Sequence, residues 1–299
     1  MRRKGQEGDE LLSPMPFRQN WFEFLRKNGI CPASLRRFRS IIFHYYFGHR
    51  REFSWREEIS PYRVFISEVM LQQTQTSRVV PKFHEFIVKF PDFDSLAHAD
   101  FGEILRAWKG LGYNRRARYL QEAAELVADR FGGNLPDDPG LLVTLPGIGP
   151  ATAASICTFA FNIPLAFIET NIRTVYIHFF FRDAEGVDDR QIMELVEKTV
   201  DKERPRDWYY ALMDYGVMLK KAIGNLNTRS KHYSKQSRFE GSDRQIRGKI
   251  LQLLLDDTAI MVEAIPGLLG ESPERIERIV ASLCNDNLVL IAKNKLTLS

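Results

Sequence analysis

Leu145-Pro-Gly-Ile-Gly-Pro150 joins a turn-rich stretch to an unbroken small and apolar run that starts at Ala151. Glycine is the residue for positive φ, and proline suits the first position of a helix. The spacing therefore predicts a hairpin at Gly147 and Gly149 that feeds the chain into a helix with its first N–H groups facing outward. Such groups, backed by the helix dipole, bind phosphate. Twenty residues beyond Gly149 comes a carboxylate, Glu169, in Phe167-Ile-Glu-Thr-Asn171. A lone Gly-x-Gly also occurs in ordinary turns between helices, so the rest of the chain has to decide.

Helical periodicity recurs on both sides. Tyr62, Phe65, Ile66, Val69 and Met70 follow the i, i+3, i+4, i+7 pattern, with Pro61 suited to a first turn, and predict a helix over 62–74. Further helices are predicted at 79–89, 101–108, 115–131, 141–145, 151–161, 171–181, 189–201 and 207–222. Strand-like alternation is nearly absent before residue 286. The apolar stretch from Ala151 to Ile168 approaches the length of a membrane span, but Thr152, Ser155, Thr158, Asn162 and Pro164 interrupt it, which favours a buried central helix. The expected body is all-α.

After Gly224 the texture turns polar and basic, and a small unit begins at Ser242. Helices at 243–255 and 272–285, a short helix or turn near 261–269, and alternating segments 288–292 and 295–298 give the layout of a winged helix. Ser272-Pro-Glu-Arg is a strong helix start, with Ser272 as N-cap. The expected organisation is a flexible N-terminal tail over 1–30, a body over 31–224, a basic linker over 225–241 and a winged-helix-like domain over 242–299. Winged helices dock on DNA or on proteins, and both remain open for this unit.

At 299 residues and 44% apolar composition the chain can bury a sizeable core. Its net charge is only +4, yet the segment Lys220 to Lys249 holds nine Lys/Arg against Glu240 and Asp243. That local excess suits a polyanion or a solvated linker. Cys31, Cys157 and Cys284 are far apart, without Cys-x-x-Cys or histidine at ligand spacing, so neither a disulfide framework nor a cysteine-held metal is expected. Met1–Pro16 is polar and lacks the apolar core of a targeting peptide. A cytoplasmic, nucleoid-associated monomer without membrane contact is expected.

On the predicted helix over 62–74, Glu68, Gln72 and Gln75 fall at i, i+4, i+7 and would share one face apart from the apolar stripe. By itself that is also the pattern of a solvated helix face. The neighbouring motifs weigh against it. Phe53-Ser-Trp-Arg56, the run Pro61-Tyr-Arg-Val-Phe-Ile-Ser-Glu-Val-Met-Leu-Gln-Gln-Thr-Gln75, Trp108-Lys-Gly-Leu-Gly-Tyr113 with Arg116-Ala-Arg118, and Leu145–Pro150 succeed one another in order. Together they closely resemble the helix-hairpin-helix DNA glycosylases, and among them the MutY-type adenine glycosylases, from about Phe53 to Lys220.

The resemblance implies a two-lobed all-α body that receives a flipped-out base of double-stranded DNA in the cleft between its lobes. Glu68 matches the acid that protonates the departing adenine. Gln72, Gln73 and Tyr113 match or adjoin residues that wedge into the base stack, and Gly147 and Gly149 match the hairpin that holds a backbone phosphate. Asn171 matches an active-site asparagine beside the catalytic carboxylate. Arg173 stands where adenine enzymes often carry lysine, as a phosphate contact or in a structural ion pair. Ala151 stands where bifunctional relatives have a nucleophilic lysine, so strand cleavage by Schiff-base chemistry is not expected.

The chemistry asks for such a set. Cleaving an N-glycosidic bond builds positive charge on the sugar and needs a neutral leaving base, so one acid donates a proton while a carboxylate stabilises the cation and guides water. The bond is out of reach inside a base stack, which makes extrusion obligatory.

Three departures stand out. The family expects aspartate where this chain has Glu169, and one extra methylene moves the charge by roughly an ångström unless the backbone compensates. Displacement on that scale can cost about a hundredfold in rate, so Glu169 serves a shifted substrate or marks a weakened enzyme. The four-cysteine iron–sulfur motif is replaced by Lys220-Lys-Ala-Ile-Gly and the basic linker, so no cofactor is expected. The 55 residues from Gln245 onward are too few for the Nudix-like domain that senses 8-oxoguanine. Three readings follow: a monofunctional glycosylase in base excision repair acting on adenine opposite G or 8-oxoguanine, a thymine or uracil mismatch glycosylase of the same fold, or a non-catalytic protein that recognises damaged DNA.

Overall fold

Short polar side chains set where many of the helices begin. Ser60 accepts a bond from Arg63 N, Asp92 from Ser95 N, Asp100 from Glu103 N, Asp138 from Gly140 N and Leu141 N, Asp188 from Arg190 N, and Ser272 from Arg275 N. Each bond satisfies an amide that the first helical turn leaves without an intrahelical partner.

The computed structural model describes residues 21–235 and 237–299. In chain order the helices are α1 (Trp21–Asn28), α2 (Pro32–His49), α3 (Ser54–Glu57), α4 (Pro61–Leu71), α5 (Thr76–Lys89), α6 (Phe93–Ala97), α7 (Phe101–Trp108), α8 (Arg115–Phe131), α9 (Pro139–Leu142), α10 (Pro150–Phe161), α11 (Thr170–Phe180), α12 (Asp189–Thr199) and α13 (Pro205–Ile223). Then come α14 (Asp243–Asp256), β1 (Ile260–Met261), α15 (Ile265–Leu269), α16 (Pro273–Asn285), β2 (Val289–Ala292) and β3 (Lys295–Leu298). Helix α2 was not anticipated, although Phe38, Ile41, Ile42, Tyr45 and Tyr46 form its buried stripe.

The chain divides into two compact units. One gathers the described residues before Glu58 with Ala153–Lys235; the other gathers Glu58–Thr152 with the described residues after Lys235. In the first unit an aromatic core joins Trp21, Phe38, Tyr176, Phe179, Trp208 and Tyr215, all at most 1% exposed. Ala153, Ile156, Cys157 and Phe159 of α10 are buried as expected of a central helix. The Asp214 carboxylate on α13, 1% exposed, accepts from Arg51 N and Nε and from both terminal nitrogens of Arg56, at 2.7–3.1 Å.

Two expected boundaries shift. Residues 1–20 of the predicted tail lie outside the described residues, but 21–28 are helical: Trp21 is 1% exposed and its Nε1 donates to Phe179 O at 3.0 Å. Trp21, Phe24 and Leu25 follow the i, i+3, i+4 spacing, so this helix could have been read by the same count. The predicted linker also begins late. Residues 226–229 form a 3₁₀ turn, Asn227 Nδ2 donates to Thr174 Oγ1 at 2.7 Å, and Arg229, counted with the solvated basic run, donates to Ala184 O and Phe181 O.

In the second unit the predicted stripe of α4, Tyr62 to Met70, is buried, and Tyr62 Oη donates to Phe90 O at 2.6 Å. The C-terminal module runs helix, strand, helix, helix, hairpin, with strand order β1-β3-β2. Lys293 and Asn294 close the hairpin with φ of 50° and 63°, the primed turn that suits antiparallel twist. Strand β1 was missed because two residues carry no alternation; it pairs Ile260 with Leu296.

Candidate active site and nucleic-acid interface

Helix α4 ends at Leu71 because Gln72 turns to φ −56°, ψ 114° and Gln73 to φ +53°. Glu68, half-buried, therefore stays on the helix while Gln72 and Gln75 leave it, which corrects the expectation of one shared face. Gln72 instead reaches back with Nε2 to Gly147 O (3.3 Å) and Thr152 Oγ1 (3.4 Å), tying the end of α4 to the glycine hairpin. Gln73 is exposed.

The last carbonyls of a helix lack intrahelical donors and carry the negative end of its dipole. Here one buried cation serves them. Arg116 Nη1 donates to Val69 O, Met70 O and Gln72 O at 2.7–2.9 Å, and Nη2 donates to Thr74 Oγ1, Gly112 O and Leu111 O. Burial pushes the guanidinium down to about 10, so it stays charged at neutral pH. It thereby fixes the turn carrying Gln72 and Gln73 against the loop carrying Tyr113, which sits at φ +50°. The sequence named Arg116 within a motif, but its job was invisible because its partners are main-chain carbonyls.

In the hairpin Ile148 is buried, and Gly147 and Gly149 on either side are exposed. Gly147 has φ +76°, and a Cβ there would lie 2.9 Å from Tyr119 Cδ2. Gly149 does not have positive φ and a Cβ on it would meet nothing within 4 Å. The requirement for left-handed backbone thus holds for Gly147 and fails for Gly149. Helix α10 begins at once with Pro150, and the Ala151 side-chain position is exposed.

In the other unit Glu169 is the N-cap of α11. Its Oε1 accepts from Asn171 N at 3.0 Å, and Asn171 Nδ2 lies 3.4 Å from Oε2. Burial pushes the carboxyl above the ordinary glutamate value, opposed by the Asn171 amides, the Ile172 amide and the Arg173 charge. The capping bond from Asn171 N holds the Glu169 carboxylate at the N-terminus of α11. Of the two roles expected for Arg173, phosphate contact or structural ion pair, the structure forms the ion pair: Nε and Nη2 both meet the Asp189 carboxylate at 2.7 Å.

The order of α4, hairpin, α10 and the acid-capped α11 is matched by known proteins. The description "HhH-GPD superfamily base excision DNA repair protein" fits residues 66–202. An adenine DNA glycosylase of Mycolicibacterium smegmatis is 32% identical over 258 residues, covering 80% of this chain and 88% of that protein. The chain belongs to the HhH-GPD superfamily. An adenine DNA glycosylase of Buchnera aphidicola is 33% identical over 186 residues, 61% of this chain, which spans about half (52%) of that relative's length. A solved thermostable thymine-DNA glycosylase is 28% identical, with a TM-score of 0.56 over 61% of this chain and 85% of its own.

A four-cysteine cluster needs four thiolates, and Cys31, Cys157 and Cys284 belong to three separate elements. Among the described residues no three His, Cys, Asp or Glu side chains are grouped to hold a metal ion, and no helix is long and apolar enough to cross a membrane.

Proposed function

We propose that the chain is a monofunctional DNA N-glycosylase that hydrolyses the bond between deoxyribose and an extruded adenine opposite G or 8-oxoguanine. The observation that carries this reading is the Glu169 carboxylate, held at the N-terminus of α11 by Asn171 although the side chain is a methylene longer than the family's aspartate. Ionised, it stabilises the oxocarbenium-like sugar and orients the attacking water. Glu68 delivers the proton that lets adenine leave neutral. Gln72, Gln73 and Tyr113 fill the space the base vacates, and the hairpin at Gly147 and Gly149 grips a phosphate of the strand. Exposed Ala151 offers no amine, so the product is an abasic site in an uncut strand.

Purified protein is tested on duplexes carrying A opposite G, A opposite 8-oxoguanine, and T or U opposite G. Free adenine from the first two is the expected result. The 28% identity to a thymine-DNA glycosylase gives a second reading specific support, and release of thymine from the T:G duplex with none of adenine would establish it in place of the first.

A further inference from the structure

Beyond residues 66–202, which the family description fits, the C-terminal module touches one short segment repeatedly. Arg244 Nη1 donates to the Tyr113 hydroxyl at 2.8 Å, and its guanidinium carbon lies 5.6 Å from the centre of that ring. Arg244 is itself steadied by Ser237 O at 2.7 Å. Arg115 Nη1 donates to Asp286 Oδ1 at 3.2 Å, while the other oxygen of Asp286 accepts from Arg247 at 2.5 Å. Arg118 Nε donates to Asn287 O at 2.8 Å. Three of the residues from 113 to 118 are thus bonded by residues beyond 236.

Tyr113 needs such support. A non-glycine residue at φ +50° sits in a disfavoured region, and neighbouring structure must hold it there. The α16 face is less suited to reading DNA than the winged-helix layout suggests. Arg275 meets Asp243 and Glu271, and Arg278 also meets Asp243, so cations that would face phosphate are neutralised within the module.

We infer that the C-terminal module is a brace for the wedge, and that Arg244 is a positioning residue that sets the Tyr113 ring for base extrusion. The inference rests on the reading of Tyr113 as a wedge residue. The full chain is tested on a duplex with 2-aminopurine beside the target adenine, whose fluorescence rises on unstacking, together with the single-turnover rate of base release. A bond from a charged donor is worth enough for Arg244→Ala to slow extrusion and release by about tenfold. Affinity for abasic-site DNA and Tm should stay near wild type. Tyr113→Phe, which removes the hydroxyl, should slow the reaction alike, the double variant no further, and Arg244→Lys should recover most of the rate.

Wild-type extrusion by Arg244→Ala alongside slow extrusion by Tyr113→Ala overturns the inference and leaves the wedge reading standing. Wild-type extrusion by Tyr113→Ala removes both. If Arg244→Ala instead weakens DNA binding, flattens its salt dependence by about one charge and reacts normally at saturation, Arg244 is a phosphate contact and the brace is wrong.

Discussion

Gly216 of α13 packs so closely on the first turn of α11 that a Cβ built on it would lie 2.4 Å from the carbonyl oxygen of Asn171 and 2.8 Å from its Cβ. The turn that carries Glu169 and Asn171 is therefore seated on a helix with no side chain at the point of contact. Alanine is the better helix former by about 1 kcal/mol, so a loss of stability at this site would be steric in origin. Gly216→Ala is expected to cost about 1–3 kcal/mol and to slow base release at least tenfold by displacing the capped acid. Denaturant midpoints and single-turnover rates check the two effects separately.

Glu169 sets stability against activity. Its folded pKa is raised, so the protonated form is favoured on folding; that contribution is full at acid pH and is lost as pH rises through the raised value. Glu169→Gln should match the wild-type Tm at acid pH and exceed it increasingly toward neutral and alkaline pH. Catalysis needs the ionised form, so the wild-type rate should climb with pH through the same window. Glu169→Asp keeps both the cap and the charge and should retain activity within about tenfold. A Tm gap between wild type and Glu169→Gln that does not change with pH would refute the linkage.

The two hairpin glycines should part company. Gly147→Ala places a Cβ in left-handed backbone and against Tyr119 and should cost about 1 kcal/mol or more in stability. Gly149→Ala meets nothing in the protein, so Tm should hold while DNA affinity drops. Thermal scans and fluorescence anisotropy on abasic-site duplex distinguish them.

Asp214 is expected to matter for folding. Removing it leaves the guanidinium of Arg56, whose side chain is 6% exposed, without its counter-charge. Asp214→Ala should destabilise by about 3–5 kcal/mol, read as a shift of the urea midpoint.

Much of this molecule was legible in its sequence where a signal is local. The stripe on α4, Ser272 with Pro273, and the Lys293-Asn294 turn all announce themselves within a few residues, and the structure places each as expected. Helix α2 had as clear a stripe from Phe38 to Tyr46 and could have been found by the same count. What stayed hidden depends on distant partners. Asp214 lies some 160 residues from the arginines it binds, Gly216 matters only through Asn171, and Arg116 works through carbonyls that every residue has. The face shared by Glu68, Gln72 and Gln75 failed for a local reason: periodicity cannot tell that Gln73 takes positive φ and ends the helix.

The most direct measurement is single-turnover release of free adenine from an A:8-oxoguanine duplex at saturating enzyme, comparing wild type with Glu169→Gln. Wild type should liberate adenine and leave an alkali-labile abasic site in an uncut strand, while Glu169→Gln binds the duplex equally and reacts about a hundredfold or more slowly. Equal rates for the two proteins, or no release of base by wild type from this or any duplex of the panel, would contradict the account.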